Sequence, residues 1–134
     1  MTIPVIFEDK NILVINKPSS VVVHPFDFST EETLLDFLMK HSPDIFSIDN
    51  AITLQDKRVF NLGGTVHKLD RDTSGIMVVT KNQKTFDELK QQFMNHTITK
   101  TYIALVEEII KEDTFTINAP LGRNKKDYKQ QVNP

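Results

Sequence analysis

The chain has 134 residues, 39% of them hydrophobic and 25% charged, which fits one globular domain and excludes a disordered tail. It contains no cysteine and four histidines, which excludes disulfides, thiolate zinc sites and cysteine nucleophiles. The net charge of −2 lacks the basic excess of dedicated nucleic-acid binders, so a polyanion would have to meet a local basic patch.

The N-terminus and the apolar runs carry no targeting signal. No apolar run approaches the ~20 residues of a membrane helix, and the basic and then apolar layout of a secretory signal is absent. We therefore expect a cytoplasmic protein with no membrane partner, and nothing in the sequence implies a protein partner.

Two short runs near the N-terminus are rich in β-branched residues. They cover Val5–Asp9 and Asn11–Pro18, and their pattern predicts a pair of strands, the second ended by its proline. Val21–His24 predicts a third short strand before Pro25.

A capping-box pattern precedes the first predicted helix. Ser29 and Glu32 have the S-x-x-E spacing, and the leucines that follow repeat at helical spacing, so we predict a helix through about Lys40. Residues 42–64 show no sustained period, which predicts a mobile functional loop.

The second half of the chain returns to regular patterns. Gly75–Thr80 predicts a buried strand, and an apolar stripe at i, i+3 and i+7 predicts a helix from about Thr85 to Asn95. Thr101–Val106 and Thr114–Asn118 predict two further strands. This order favours an α+β fold with a mixed, largely antiparallel sheet and a few flanking helices over a regular βαβ repeat.

The C-terminal residues 122–134 are polar and rich in turn formers. They predict an irregular tail. Because this tail is not closed by a helix or strand, we expect the chain to be a fragment of a longer one.

One stretch concentrates ionisable and hydroxyl groups. It is His67–Gly75, with the sequence HKLDRDTSG, and it follows a glycine turn and precedes a predicted strand. One interpretation is a surface turn stabilised by hydrogen bonds from side chains to the backbone. The other takes an aspartate, Asp70 or Asp72, as a nucleophile or base kept ionised by an adjacent cation. The adjacent cations are Lys68 and Arg71, and the residue types leave both choices open.

This stretch resembles the H-R-L-D-x-x-T-S-G signature of the RluA/RluD-like family of RNA pseudouridine synthases. Three further segments resemble that family in the same order. They are Glu8–Pro25, similar to its opening strand pair, Lys100–Val106, similar to its K-x-Y-x-A-L-V strand, and Ala119–Arg123, similar to its p-l-g-r segment. The resemblance covers nearly the whole chain.

The resemblance implies an enzyme that isomerises a specific uridine in structured RNA to pseudouridine. The partner would be a ribosomal or transfer RNA, whose target base must be flipped out of its stack to be reached. Neither a cofactor nor a metal is implied. The reaction breaks the N-glycosidic bond and rejoins the same sugar carbon to C5 of the uracil.

The resemblance also implies roles for individual residues. Asp70, and not Asp72, matches the catalytic aspartate, and Tyr102 matches the tyrosine that stacks on the target base. Lys68 matches the basic residue near the gap that the flipped base leaves. Arg71 is expected to contact phosphate or to pair with Asp70, and His67 is expected to form structural hydrogen bonds.

Past the p-l-g-r segment, the family continues through strands carrying G-R-T-H-Q-I-R, whose arginine pairs with the catalytic aspartate. The resemblance therefore implies a single partial catalytic domain over residues 1–134. We expect these residues alone to be inactive or nearly so, and their exposed sheet edges to favour association.

Two other functions are compatible with the same residues. One is a non-catalytic RNA-binding module, whose binding would depend on salt without any isomerisation. The other is a nucleoside or glycoside hydrolase that uses Asp70 with a second carboxylate. A hydrolase would release free base or sugar, whereas pseudouridylation leaves the mass of the RNA unchanged.

Overall fold

The computed structural model describes residues 1–25, 31–53, 57–123 and 130–132. The chain, for which the sequence predicts a single domain, divides into two compact units, Met1–Lys100 and Thr101–Pro134. The elements are β1 (Val5–Glu8), β2 (Ile12–Lys17), α1 (Leu34–His41), a 3-10 helix (Pro43–Ser47), β3 (Ala51–Thr53), β4 (Val59–Asn61), β5 (Gly75–Thr80), α2 (Gln83–Met94), β6 (Leu121–Arg123) and β7 (Gln130–Val132).

An antiparallel sheet in the order β1-β2-β5 forms the centre of the first unit. Alternate residues of β2 and β5 are buried because they face the core, with Leu13 opposite Val79 and Ile15 opposite Met77. The leucines of α1 pack against this face. The α+β fold with antiparallel sheets is confirmed, as are the strands predicted around β1, β2 and β5.

Helix α1 begins later than the capping-box pattern predicts. Its first residue, Leu34, follows Thr33, whose backbone N–H and hydroxyl both donate to one oxygen of Asp36, each at 2.7 Å. These hydrogen bonds hold the pKa of Asp36 below its usual range. The predicted cap Ser29 lies outside the described residues, and the box is formed four residues further on by Thr33 and Asp36, a second pair of the same spacing.

The predicted strand Val21–His24 is not formed. Its backbone carbonyls instead accept hydrogen bonds from the start of α1, Leu34 N–H to Val22 O at 2.8 Å and Leu35 N–H to Val23 O at 3.2 Å. The acceptors that a strand neighbour would need are therefore used by the helix.

Residues 42–53 and 57–64 contain secondary structure where the sequence predicts a loop. The segment contains the 3-10 helix and the antiparallel pair β3–β4, in which Ile52 lies opposite Phe60. Each of these strands has only three residues, too few for a period to be recognised in the sequence.

Helix α2 confirms the helix predicted from Thr85 to Asn95, with its first residue two positions earlier. Asn82 is the N-cap, and its side-chain oxygen accepts a hydrogen bond from the Thr85 backbone N–H at 3.0 Å. Phe86 is the buried residue of its apolar stripe. None of the helices in the described ranges has both the length and the apolar character to cross a bilayer.

The second unit differs from the prediction over residues 101–120. The predicted strands Thr101–Val106 and Thr114–Asn118 are not formed, and this described segment contains neither helix nor strand. Because it forms no backbone ladder, its apolar side chains stay in solvent, and Ile103 and Leu105 are fully exposed. Within the predicted irregular tail, β6 pairs antiparallel with β7, and residues 124–129 and 133–134 lie outside the described residues.

Candidate active site

The chain reaches the HKLDRDTSG stretch by running along the outer edge of β5. Thr80 donates its backbone N–H to Gly64 O at 2.8 Å, and Thr65 forms an antiparallel bridge with Val79. The approach requires glycine at position 64, because a Cβ there would lie 1.8 Å from Thr80 O. Residues 64–67 are thereby fixed against a buried strand.

His67 is the next residue fixed to this edge. Its Nε2 accepts a hydrogen bond from the Val78 backbone N–H at 3.0 Å, and its ring stacks on Phe93 with a centroid distance of 4.7 Å. Burial, with a smaller contribution from the charge on Lys100, lowers the pKa of His67. An accepting Nε2 requires a neutral ring with its proton on Nδ1, as expected for a structural histidine.

Residues 67–75, called here the aspartate loop, project beyond this anchored stretch. Leu69 is 8% exposed and packs in the core, whereas Asp70 and Asp72 are exposed. The Thr73 backbone N–H donates to Asp70 O at 3.2 Å, which closes a turn around the loop tip. Gly75 ends the loop with φ +137°, a conformation that favours glycine.

A buried lysine is hydrogen-bonded to the backbone of the aspartate loop. Lys17, the last residue of β2, is fully buried, and its ammonium donates to Pro18 O at 2.9 Å, Val21 O at 2.8 Å and Arg71 O at 3.0 Å. Burial lowers the pKa of Lys17, while the nearby charges of Asp72 and Asp70 oppose this shift. One cation therefore anchors the loop backbone and acts on both candidate carboxylates.

The motif indicates Lys68 or Arg71 as the cation beside the aspartates, whereas the contribution of Lys17 is visible only in the structure. The missed signal is the alternation of β2, where Leu13 and Ile15 are buried and the next position on that face is a lysine. A lysine at a core position of a strand is rare unless its charge has hydrogen-bonding partners. That position could therefore have been identified from the sequence.

The structure places Arg71 on the surface, near Glu31. Its Nη2 lies 3.6 Å from Oε1 of Glu31, and both side chains are more than half exposed. Asp70 has no ion pair among the described residues. The structure pairs Arg71 with Glu31, and the role of Arg71 at the site stays a prediction.

Lys68 faces a cavity of about 250 Å³ in the first unit, called here the lysine cavity. Asp70 is not part of its lining.

Tyr102 belongs to the second unit. Its side chain is 59% exposed, in the segment without helix or strand. The stacking role of Tyr102 stays a prediction.

Comparison with known sequences and structures gives a consistent result. The profile of the family described as RNA pseudouridylate synthase matches residues 11–134. The chain is 39% identical over 127 residues to the uncharacterized RNA pseudouridine synthase YlyB of Bacillus subtilis, covering 95% of this chain and 39% of that protein. It is 38% identical over 120 residues to ribosomal large subunit pseudouridine synthase D of Pseudomonas aeruginosa, covering 90% of this chain and 33% of that protein.

A solved structure supports the fold. Human RNA pseudouridylate synthase domain containing 1 superposes with a TM-score of 0.70 at 23% identity, over 98% of this chain and 44% of that one. The chain spans 39% and 33% of the length of the two curated relatives named above.

Proposed function

Because the chain belongs to the RNA pseudouridylate synthase family, we propose that the protein isomerises a uridine in RNA to pseudouridine and that Asp70 is its catalytic residue. The observation that carries this proposal is the exposed Asp70 carboxylate on a loop whose backbone is anchored on both sides. Such anchoring fixes a catalytic group without covering it.

The chemistry suits one exposed carboxylate. Breaking the bond between ribose C1′ and uracil N1 builds positive charge on the sugar carbon, which an ionised carboxylate at contact distance stabilises. A bond then forms between C1′ and C5 of the turned uracil, the C5 proton leaves to solvent and N1 gains a proton. The RNA keeps its mass.

Lys17 supports this use of Asp70. Its buried ammonium donates to the carbonyl of Arg71, the residue after Asp70, and its charge acts on the Asp70 carboxylate. Because this hydrogen bond fixes the backbone next to Asp70, it limits the positions that the carboxylate can take. Lys17 is thus a positioning residue, and Asp70 is the residue that would touch the ribose.

The other proposed contacts concern the RNA. A target uridine must leave its stack to reach Asp70, which costs a few kcal/mol. Stacking of the freed base on Tyr102 would offset ~1–3 kcal/mol of this cost. We propose that Lys68 and Arg71, both exposed, contact the RNA. The Pseudomonas aeruginosa relative carries a ribosomal large subunit name, which favours a ribosomal over a transfer RNA substrate.

We propose that the 134 residues alone are inactive or nearly so. Tyr102 lies in a segment without strand or helix and is 59% exposed, and a stacking ring needs a fixed orientation to hold a freed base. We propose that activity belongs to a chain of the length of the relatives.

Tritium release from RNA labelled at uracil C5 tests the assignment of the two aspartates. In a chain of the relatives' length, Asp70→Asn should abolish release, because the amide cannot stabilise the developing charge, while Asp72→Asn should retain most of it. Both residues are exposed on one loop, and the charges of both carboxylates raise the pKa of Lys17. The Asp72→Asn variant is therefore a matched control. Release by Asp70→Asn, or its loss only in Asp72→Asn, would contradict the assignment.

A further inference from the structure

The lysine cavity has a composition unlike that of the chain as a whole. The chain contains 18 Asp and Glu and has a net charge of −2, yet no acidic residue is among the described residues that line the cavity. Its polar lining includes Lys68, Lys90, His24 and His67, and its apolar wall includes Phe86. A concave site with cations and no carboxylate favours an anion.

Both lysines have a charge available for a ligand. Lys90 rises from α2 with its Nζ 5.0 Å from the centroid of the Phe86 ring, a cation–π contact that orients the ammonium at the cavity without neutralising it. Lys68 is exposed. Within the part of the chain that the structure describes, neither lysine forms an ion pair.

A third donor comes from the ring of His67. Because Nε2 accepts the Val78 N–H, the ring proton is on Nδ1, which has no partner among the described residues. The charge of Lys100 also acts on this ring. The unpartnered Nδ1–H thus belongs to a ring that lines the cavity together with Lys68 and Lys90.

The size of the cavity matches a small polar group. A volume of about 250 Å³ corresponds to roughly eight water molecules at ~30 Å³ each, so a phosphate group with its first hydration or sugar atoms fits. Lys68 is two residues before Asp70, a main-chain span of at most ~7 Å. An anion held here would lie close to the RNA at the aspartate loop.

We propose that the lysine cavity binds a backbone phosphate of the RNA, between Lys68 and Lys90, beside the nucleotide presented to Asp70. This inference rests on the proposed function, and it adds Lys90 and His67 as RNA-contacting residues. Phosphate binding between two ammonium groups needs no sequence recognition and positions the strand.

The salt dependence of RNA binding by the 134-residue chain tests the proposal. Fluorescence anisotropy with labelled single-stranded RNA, from about 50 to 200 mM salt, gives the slope of log K against log salt, to which each phosphate contact contributes ~0.7. Lys68→Gln and Lys90→Gln should each make the slope shallower by about 0.7. Lys84→Gln, on the same helix but outside the cavity lining, should leave it unchanged.

A second measurement identifies the source of the phosphate. Backbone amide NMR shifts of Val66 and Lys68 are followed during titration with inorganic phosphate, or with the same RNA, at constant ionic strength. Shifts with RNA, together with the changed slopes, support the proposal. Shifts with inorganic phosphate alone, unchanged slopes in both variants, or no RNA binding by the wild type overturn it.

The two proposals fail separately. Tritium release by Asp70→Asn would contradict the catalytic assignment. It would not affect the slopes of log K against log salt, since Asp70 does not line the cavity. Unchanged slopes would remove the phosphate site and leave the catalytic assignment intact.

Discussion

The two units of the chain contain similar β-branched runs with opposite outcomes. In the first unit, β2 pairs with strands on both sides and buries Leu13 and Ile15 completely. In the second, residues 101–106 have a comparable composition, but Ile103 and Leu105 are fully exposed. The difference shows that an apolar run becomes a strand only where a neighbour satisfies its backbone groups.

The two main proposed site residues belong to different units. Asp70 belongs to the anchored unit and Tyr102 to the segment without regular structure. The carboxylate therefore has a fixed support within the described chain, whereas residues 101–106 form no strand among the described residues that would orient the ring.

The largest expected effect is on the free energy of unfolding, and it distinguishes a buried aliphatic residue from an exposed one. Leu13→Ala should lower the free energy of unfolding by about 2–5 kcal/mol, because it leaves a cavity in the core, whereas Ile103→Ala should change it by less than about 0.5 kcal/mol. Urea denaturation followed by circular dichroism measures both.

Leu13→Val serves as a milder core variant if Leu13→Ala does not fold. If Ile103→Ala destabilised the protein as much as the core variant does, residue 103 would have to be packed. This result would contradict the difference between the two units.

The next effect concerns the lysine under the aspartate loop. Lys17→Met should lower the free energy of unfolding by about 2 kcal/mol, because three carbonyls lose their donor at ~1–3 kcal/mol each while the burial of a charge is relieved. Lys10→Met, at an exposed position of the same hairpin, should have an effect below about 0.5 kcal/mol. Equal stability of Lys17→Met and the wild type would show that the three hydrogen bonds do not hold the loop.

The smallest effect is a pH dependence from His67. Its pKa is lowered in the folded chain, so the unfolded chain takes up this proton first as the pH falls through about 6.5. The contribution of neutral His67 to stability is therefore complete above about pH 6.5 and is lost on acidification below it. His67→Gln should reduce the loss of stability between pH 7 and 5.

His96→Gln, at an exposed histidine, is the control for this titration. An identical pH profile for His67→Gln and the wild type would contradict the neutral, accepting ring, since protonation removes the Nε2 lone pair that binds Val78 N–H.

Sequence reasoning succeeded where a pattern and its partners lie close together in the chain. The hairpin of β1 and β2 and the apolar stripe of α2 were predicted from local periods, and the α+β fold followed from their order. The short pair β3–β4 was not predicted, because three residues carry no period. The run 101–106 was wrongly predicted as a strand, because its composition indicates a strand without showing which chain pairs with it.

The site was predicted in part for the same reason. The residue pattern indicated a turn or loop before β5, and in the structure Asp70 lies on that loop with its side chain exposed. The support by Lys17 depends on a contact with Arg71 across 54 positions of the sequence, which no local pattern contains. The convergence of Lys68 and Lys90 on one cavity is likewise a property of the tertiary fold.

The sheet of the first unit has unequal sides. Residues 64–67 occupy the outer edge of β5 from Val78 to Thr80 and leave only a short remainder, whereas β1 is the opposite edge of the same sheet. Strand addition between copies through this sheet would therefore use β1 on each copy. Such a contact is isologous, so it closes as a dimer instead of propagating into a fibre.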